Sequence, residues 1–264
     1  DVDSGRRVTY RQFDERASRF AEVLTQQLKL APGARVAVLA HNSAAYFEML
    51  YGCAKAGLVM VCLNWRLPVT ELLPILQDCA PDVLVAGDGF LDVAAELNRA
   101  RPLRAVLYLA GGKAVDAPVG WLEFEAALAS ASGTIIETPC RDEHAVWHLL
   151  YTSGTTGRPK GVAYHFRGAY LNALGNVMEW NMEAAPVYLW TLPMFHCNGW
   201  CFPWTIAAKA GTNICIRKVT AENIYNAIAD EGTNYLCGAP IVLSFMVDAD
   251  AATKRPFSHK VNVM

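Results

Sequence analysis

No apolar run in the sequence approaches the roughly 18 residues needed to cross a bilayer. The opening residues, DVDSGRR, have none of the apolar core of a secretory signal, so the expected setting is cytoplasmic, with no transmembrane segment. Neither sign of charge dominates: 23 Lys and Arg stand against 25 Asp and Glu, a net charge of −2. That balance gives no electrostatic case for nucleic acid or an anionic membrane as a partner. The eight cysteines, at 53, 62, 79, 140, 197, 201, 215 and 237, contain no CxxC pair and fall mostly inside apolar segments. Their spacing suits reduced core thiols better than a disulfide framework or zinc. Internal repeats and low-complexity segments are also missing.

What the chain does have is apolar content and rhythm. Of its 264 residues 53% are hydrophobic, and a chain of this size buries roughly 70–75% of the surface its unfolded form exposes. Thr9 and Gln12 form a capping box for a helix whose Phe13, Ala17, Phe20, Ala21, Leu24 and Leu28 share one face until Ala31-Pro32-Gly33 stops it. Strands are expected at 35–39, 58–63, 82–86 and 105–109. Helices are expected between them, after Asn42 or Ser43 as cap and over 70–78 and 91–99. Residues 110–142 are rich in Gly, Pro, Ser and Thr, with one helical stretch at 121–129. The rhythm then resumes, with strands ending at 165 and over 187–191, 213–217 and 234–237. Helices run to 180, from a Thr220 cap to 230, and from Pro240. Apolar strands alternating with helices predict an α/β fold of two layers of mostly parallel sheet flanked by helices. The expected division is a first lobe over 1–110, a connection over 111–142 and a second lobe over 143–264.

The stretch at 151–162, YTSGTTGRPKGV, interrupts two apolar runs. Glycines at 154, 157 and 161 allow successive N–H groups to face one way, and the hydroxyls of Thr152, Ser153, Thr155 and Thr156 add donors. The cation Lys160 completes a set suited to a polyphosphate. A Walker loop would need GK followed by Ser or Thr, but Lys160 follows Pro159 and precedes Gly161. A flexible linker is the bland alternative, and linkers seldom separate two strands of buried character.

A second stretch, LPMFHCNGWCFPW at 192–204, places His196, Asn198, Gly199, Trp200 and Trp204 directly after a strand. Loops at the carboxyl ends of parallel strands form ligand crevices. A packed aromatic corner explains the same residues, because a lone His among aromatics is usually a core residue. His144 and His148 stand four apart in a run that reads as strand, without a third metal ligand. Cys197 and Cys201 read as small core residues, because no base accompanies them.

TSGTTGRPKG resembles the phosphate loop of the AMP-forming adenylating enzymes, the superfamily of acyl-CoA synthetases, peptide-synthetase adenylation domains and luciferases. PMFHCNGW is similar to the aromatic segment with which acyl-CoA synthetases shape the acyl pocket. The following GTNICIRKVTAENIYNAIADEGTNYLCGAP and the early NWRL at 64–67 are similar to the same branch. The resemblance thus runs from about Thr9 to the end. It implies ATP, Mg²⁺ and coenzyme A as cosubstrates and cofactors, and ATP-dependent conversion of a carboxylic acid to acyl-AMP and then acyl-CoA. By the same resemblance Thr152, Ser153, Gly154, Thr155, Thr156, Gly157 and Lys160 would hold the pyrophosphate part of ATP, with Thr152 contacting magnesium. His196 would lie beside the reacting carboxylate as the catalytic residue. His196, Asn198, Trp200 and Gly238 would shape the acid site, with Trp200 lining or gating the acyl tunnel. The acids implied are medium or long-chain fatty, methylthio-propionate-like or aromatic, and the parent enzyme could be a homodimer.

The sequence departs from that family in lacking a YGxTE segment, a ribose-binding TGD segment, a hinge and a carboxy-terminal catalytic lysine. The expectation is an incomplete amino-terminal domain, truncated at both ends. Its alternative role is that of a nucleotide-binding or structural fragment without turnover.

Overall fold

The computed structural model describes residues 1–111, 115–137, 142–152 and 158–264, and of Cys197 and Asn198 the backbone alone. The chain forms two compact units. One comprises Val8–His41 and Ala45–Arg167; the other comprises Asp1–Arg7, Asn42–Ala44 and Gly168–Met264.

In the larger unit Thr9 caps α1 (Tyr10–Glu22) as the sequence predicts. Its side chain accepts from Gln12 N at 3.3 Å, and its own N–H donates to Gln12 Oε1 at 2.9 Å. The helix continues into a wider π turn over Val23–Gln27. Then come β1 (Arg35–Leu39), α2 (Ala44–Ala56), β2 (Val59–Cys62), α3 (Val69–Cys79), β3 (Val83–Ala86), α4 (Leu91–Ala100) and β4 (Ala105–Tyr108). A short β5 (Leu122–Glu123) precedes α5 (Phe124–Ala129), so the stretch expected to be helical begins as strand. The last strands of this unit are β6 (Val146–Thr152) and β7 (Lys160–His165). Among the described residues they form one seven-stranded sheet in the order β5-β4-β3-β1-β2-β6-β7, parallel except for β7.

Alternation divides the strand residues between two buried faces. Ala37, Leu39, Val61, Leu63, Leu84 and Ala86 pack with Leu72, Ile75 and Leu76 of α3 and with Ala94 and Leu97 of α4. The intervening Val36, Val38, Met60 and Val85 are fully buried on the opposite face. The near-continuous apolar runs of the sequence therefore reflect strands covered on both sides. One expectation needs adjusting, because the sheets do not divide at 143. β6 pairs with β2 in the register Met60↔His148 to Cys62↔Leu150, so β6 and β7 extend the first sheet.

The smaller unit takes most of α6 (Phe166–Glu179), then β8 (Val187–Trp190), a short turn α7 (Cys197–Trp200), α8 (Phe202–Ala208) and β9 (Thr212–Cys215). It ends with α9 (Ala221–Glu231), β10 (Tyr235–Leu236), α10 (Pro240–Val247) and β11 (Asn262–Val263). Thr220 caps α9 by accepting from Asn223 N at 3.2 Å, again as predicted. The four strands are all parallel, in the order β11-β10-β8-β9. Leu189, Ile214 and Leu236 pack on Ile224 and Ile228 of α9. Tyr188 and Trp190 face the other way, and Tyr188 stacks on Phe202 of α8 with ring centroids 4.7 Å apart.

Candidate functional site

β6 runs parallel to β2, so its carboxyl end lies at the edge of the sheet where α/β proteins collect ligands. The antiparallel pairing of β6 with β7 sets Tyr151 opposite Gly161 and Thr152 opposite Lys160. Directly opposed residues present their side chains on one face. Thr152 and Lys160 are both exposed there. Both ends of the predicted loop at 151–162 are therefore paired strand, Tyr151 and Thr152 in β6 and Lys160 to Val162 in β7. Gly161 lies in β7, and its missing side chain serves packing: an added β-carbon would sit 3.2 Å from Tyr151 Cζ. Ser153, Gly154, Thr155, Thr156 and Gly157 lie outside the described residues.

Behind Thr152, Tyr151 donates to Asp78 Oδ2 at the end of α3, at 2.5 Å. Burial, reinforced by Asp78, pushes the phenol well above its ordinary pKa, so it stays a donor. Three residue pairs back, His148 is fully buried and stacks on Tyr164 at 4.6 Å. Burial lowers its pKa to about 3, which keeps the imidazole neutral. His144 lies in the turn before β6, off any helix, and no group of three His, Cys, Asp or Glu able to hold a metal occurs among the described residues.

The aromatic stretch of the smaller unit is a turn held at many points. Trp190, the last residue of β8, is fully buried and donates from Nε1 to Asn213 Oδ1 at 2.8 Å. Asn42 does not serve as a helix cap. Its amide donates to Leu192 O at 2.7 Å and Trp190 O at 3.3 Å, and its Oδ1 accepts from Met194 N at 2.8 Å. A buried Asn used in this way satisfies backbone groups that leave a strand without a partner strand. Of the two residues offered as cap, Ser43 is the one directly before α2, and no sequence signal marks the role that Asn42 has. The N–H of His196 donates to Pro193 O at 3.2 Å, and that of Gly199 to His196 O at 2.9 Å.

Gly199, Trp200 and Cys201 then adopt three consecutive left-handed conformations, with φ of +59°, +53° and +67°. For Trp200 and Cys201 this costs about 1–2 kcal/mol each. Gly199 is required for a second reason, because an added β-carbon would be 2.7 Å from Trp190 Cη2. Cys201 O accepts from Thr205 Oγ1 at 2.8 Å, and Asn176 Nδ2 donates to Trp200 O at 3.3 Å. Met194, Phe195, Phe202 and Trp204 are buried, whereas His196 is exposed and Trp200 is 45% exposed. A uniformly packed aromatic corner would have buried Trp200. The side chain of Asn198 lies outside the described residues.

Gly238 follows β10, which is the parallel neighbour of β8, so Gly238 and the His196 segment leave the same edge of one sheet. Thr191 Oγ1 donates to Cys237 O and ties these two strand ends together. A β-carbon on Gly238 would lie 3.1 Å from Val242 of α10, so the absence of a side chain lets that helix approach. Among the described cysteines, 53, 62, 79, 215 and 237 are buried, as expected of core thiols. Burial pushes Cys62 and Cys215 up to about 12. Cys201 is half-buried, less covered than a core residue.

Comparison with known proteins gives these features a family context. The model of the AMP-binding enzyme family matches residues 1–264. The peroxisomal acetate/butyrate–CoA ligase AAE7 of Arabidopsis thaliana is 37% identical over all of the chain and 49% of its own length. The peroxisomal trans-cinnamate:CoA ligase of Petunia hybrida is 34% identical, again over all of the chain and 49% of its own length. The chain thus spans about half the length of the curated relatives it matches. The inhibitor-bound N-terminal domain of FACL13 from Mycobacterium tuberculosis superposes with a TM-score of 0.83 at 28% identity, covering 96% of the chain and 63% of that structure. No described helix is long and apolar enough to cross a membrane.

Proposed function

The chain belongs to the AMP-binding enzyme family, and from that premise we propose that it forms the ATP- and acid-binding part of an AMP-forming acyl-CoA ligase. In this reading a substrate carboxylate attacks the α-phosphorus of ATP, the bond to the bridging oxygen breaks, and pyrophosphate leaves. The thiol of coenzyme A then attacks the acyl carbon of the mixed anhydride, releasing AMP and the thiol proton. Both steps depend on positioning and charge neutralisation more than on a protein nucleophile.

The observation that carries the reading is the pairing of Thr152 with Lys160. It sets a hydroxyl and an ammonium, both exposed, on one face at the carboxyl edge of a parallel sheet, flanking the donor-rich SGTTGRP. Lys160 would neutralise charge on the departing pyrophosphate, with Ser153, Gly154, Thr155, Thr156 and Gly157 as its proposed fellow donors. Thr152 offers an oxygen of the kind magnesium accepts beside waters and phosphates. Bound there, Mg²⁺ would supply further charge neutralisation.

We assign His196, Asn198, Trp200 and Gly238 to the acid. His196 would donate to the reacting carboxylate, and the exposed indole of Trp200 would meet the acyl chain. The relatives' names span short aliphatic and cinnamic acids, in keeping with an apolar-tailed carboxylic acid. Within that class we propose medium or long-chain fatty, methylthio-propionate-like or aromatic acids. Acid-dependent ATP–pyrophosphate exchange in the full-length protein, over a panel from acetate to long fatty acids and cinnamate, tests this. Exchange with at least one acid is expected; none with any acid overturns the reading.

A further inference from the structure

The left-handed turn at 199–201 does not hold itself. Left-handed backbone is unfavourable for Trp200 and Cys201, so neighbouring groups must impose it. Two polar side chains outside the turn supply hydrogen bonds that help to do so. Thr205, fully buried in α8, donates from Oγ1 to Cys201 O at 2.8 Å, and its N–H reaches the same oxygen at 3.2 Å. Asn176, half-buried on α6, donates from Nδ2 to Trp200 O at 3.3 Å and to Thr205 Oγ1 at 3.1 Å. One amide group therefore joins α6, the turn and α8. The two carbonyls it secures, directly or through Thr205, belong to the two strained residues.

We propose that Asn176 and Thr205 are positioning residues that clamp this turn and, by fixing the direction of the Trp200 indole, set the enzyme's selectivity among acids of different length. This rests on the assignment of Trp200 to the acid site. Neither side chain need touch the substrate. With the clamp gone, the backbone of Trp200 and Cys201 relaxes toward ordinary φ, and the indole no longer presents one surface to every acid.

The test uses Asn176→Asp and Thr205→Val in the full-length protein, with Thr205→Ser as the conservative control and circular dichroism to verify folding. Two readouts are taken. The first is the rate at which iodoacetamide alkylates Cys201, followed by peptide mass spectrometry. The second is the ratio of kcat/KM for the best acid to that for an acid four carbons shorter or longer. Both disruptive variants should raise Cys201 alkylation at least fivefold and compress the acid ratio at least threefold, with KM for ATP unchanged. Thr205→Ser should stay within twofold of the parent in both. Unchanged Cys201 alkylation overturns the clamp. Faster alkylation with an unaltered acid ratio overturns its link to selectivity. If the parent protein turns over no acid at all, the ligase reading fails, and the alkylation rates still decide whether Asn176 and Thr205 hold the turn.

Discussion

Tyr151 donates its phenolic hydrogen to Asp78 Oδ2 across 2.5 Å, while its ring covers the open face of Gly161 in the neighbouring strand. The residue before Thr152 is thus fixed at both its tip and its face. On the proposed function, this anchors the strand pair from which the phosphate-binding segment departs. Tyr151→Phe removes the tip contact and keeps the ring. The expected cost is about 1 kcal/mol of stability, visible as a lower Tm, with KM for ATP rising several-fold and KM for the acid unchanged. Equal rises for both substrates would show the anchor to be a general structural one.

Lys160 is assigned to the pyrophosphate, which has left before the thiol reacts. Lys160→Ala should therefore slow acid-dependent pyrophosphate exchange by one to two orders of magnitude, about 1.4–3 kcal/mol in barrier. Thioester formation from preformed acyl-adenylate should change far less. Comparable losses in both half-reactions would remove Lys160 from its assigned place. Its exposure makes a folding defect an unsuitable explanation for either result.

The sequence reveals much of the fold and a smaller part of the site, for physical reasons. Strands such as β1 and β3 are covered on both faces and so read as apolar runs. Thr9 and Thr220 cap their helices through contacts within three residues, a range that sequence pattern captures. The pairing of β6 with β2 joins residues far apart in the chain, and no local signal specifies which sheet β6 enters. Asn42 shows the same limit, since an Asn before a helix predicts a cap and its amide instead serves the backbone of Trp190, Leu192 and Met194. At 199–201 only Gly199 carries a local signal for left-handed backbone. Trp200 and Cys201 carry none; a tertiary hydrogen bond from Asn176 holds the Trp200 carbonyl, and Thr205, one helical turn on, holds that of Cys201.

His148 makes acid stability testable. Its folded pKa of about 3 lies below the unfolded value near 6.5. The unfolded chain therefore binds the extra proton between those limits, and stability falls as pH falls through that window. The contribution is fully present above about pH 6.5 and is lost at up to about 1.4 kcal/mol per pH unit toward pH 3. His148→Phe retains an aromatic ring to stack on Tyr164 and cannot be protonated. Urea melts at pH 7 and pH 5 should show a smaller difference for this variant than for the parent. An equal difference would place the acid sensitivity elsewhere.

Trp200 and His196 belong to one turn, yet their substitutions should separate. Trp200 is 45% exposed, so Trp200→Ala leaves no sealed core cavity and should cost well below the roughly 3–5 kcal/mol of a buried Trp. Its effect should instead fall on the acid, shifting the preferred length or shape by about 1–3 kcal/mol in differential binding per methylene. His196 is also exposed, but a hydrogen bond to the reacting carboxylate acts where charge rearranges, whatever the tail attached to it. His196→Ala should thus lower kcat by a similar factor for every acid and leave the length profile unchanged. Thermal melts with an acid-length series on both variants of the full-length protein distinguish the outcomes. If Trp200→Ala lowers the Tm by many degrees while the length profile stays fixed, the indole supports the fold and the acid tail lies elsewhere. If His196→Ala penalises only some acids, the imidazole is lining the tail's path and is not at the carboxylate.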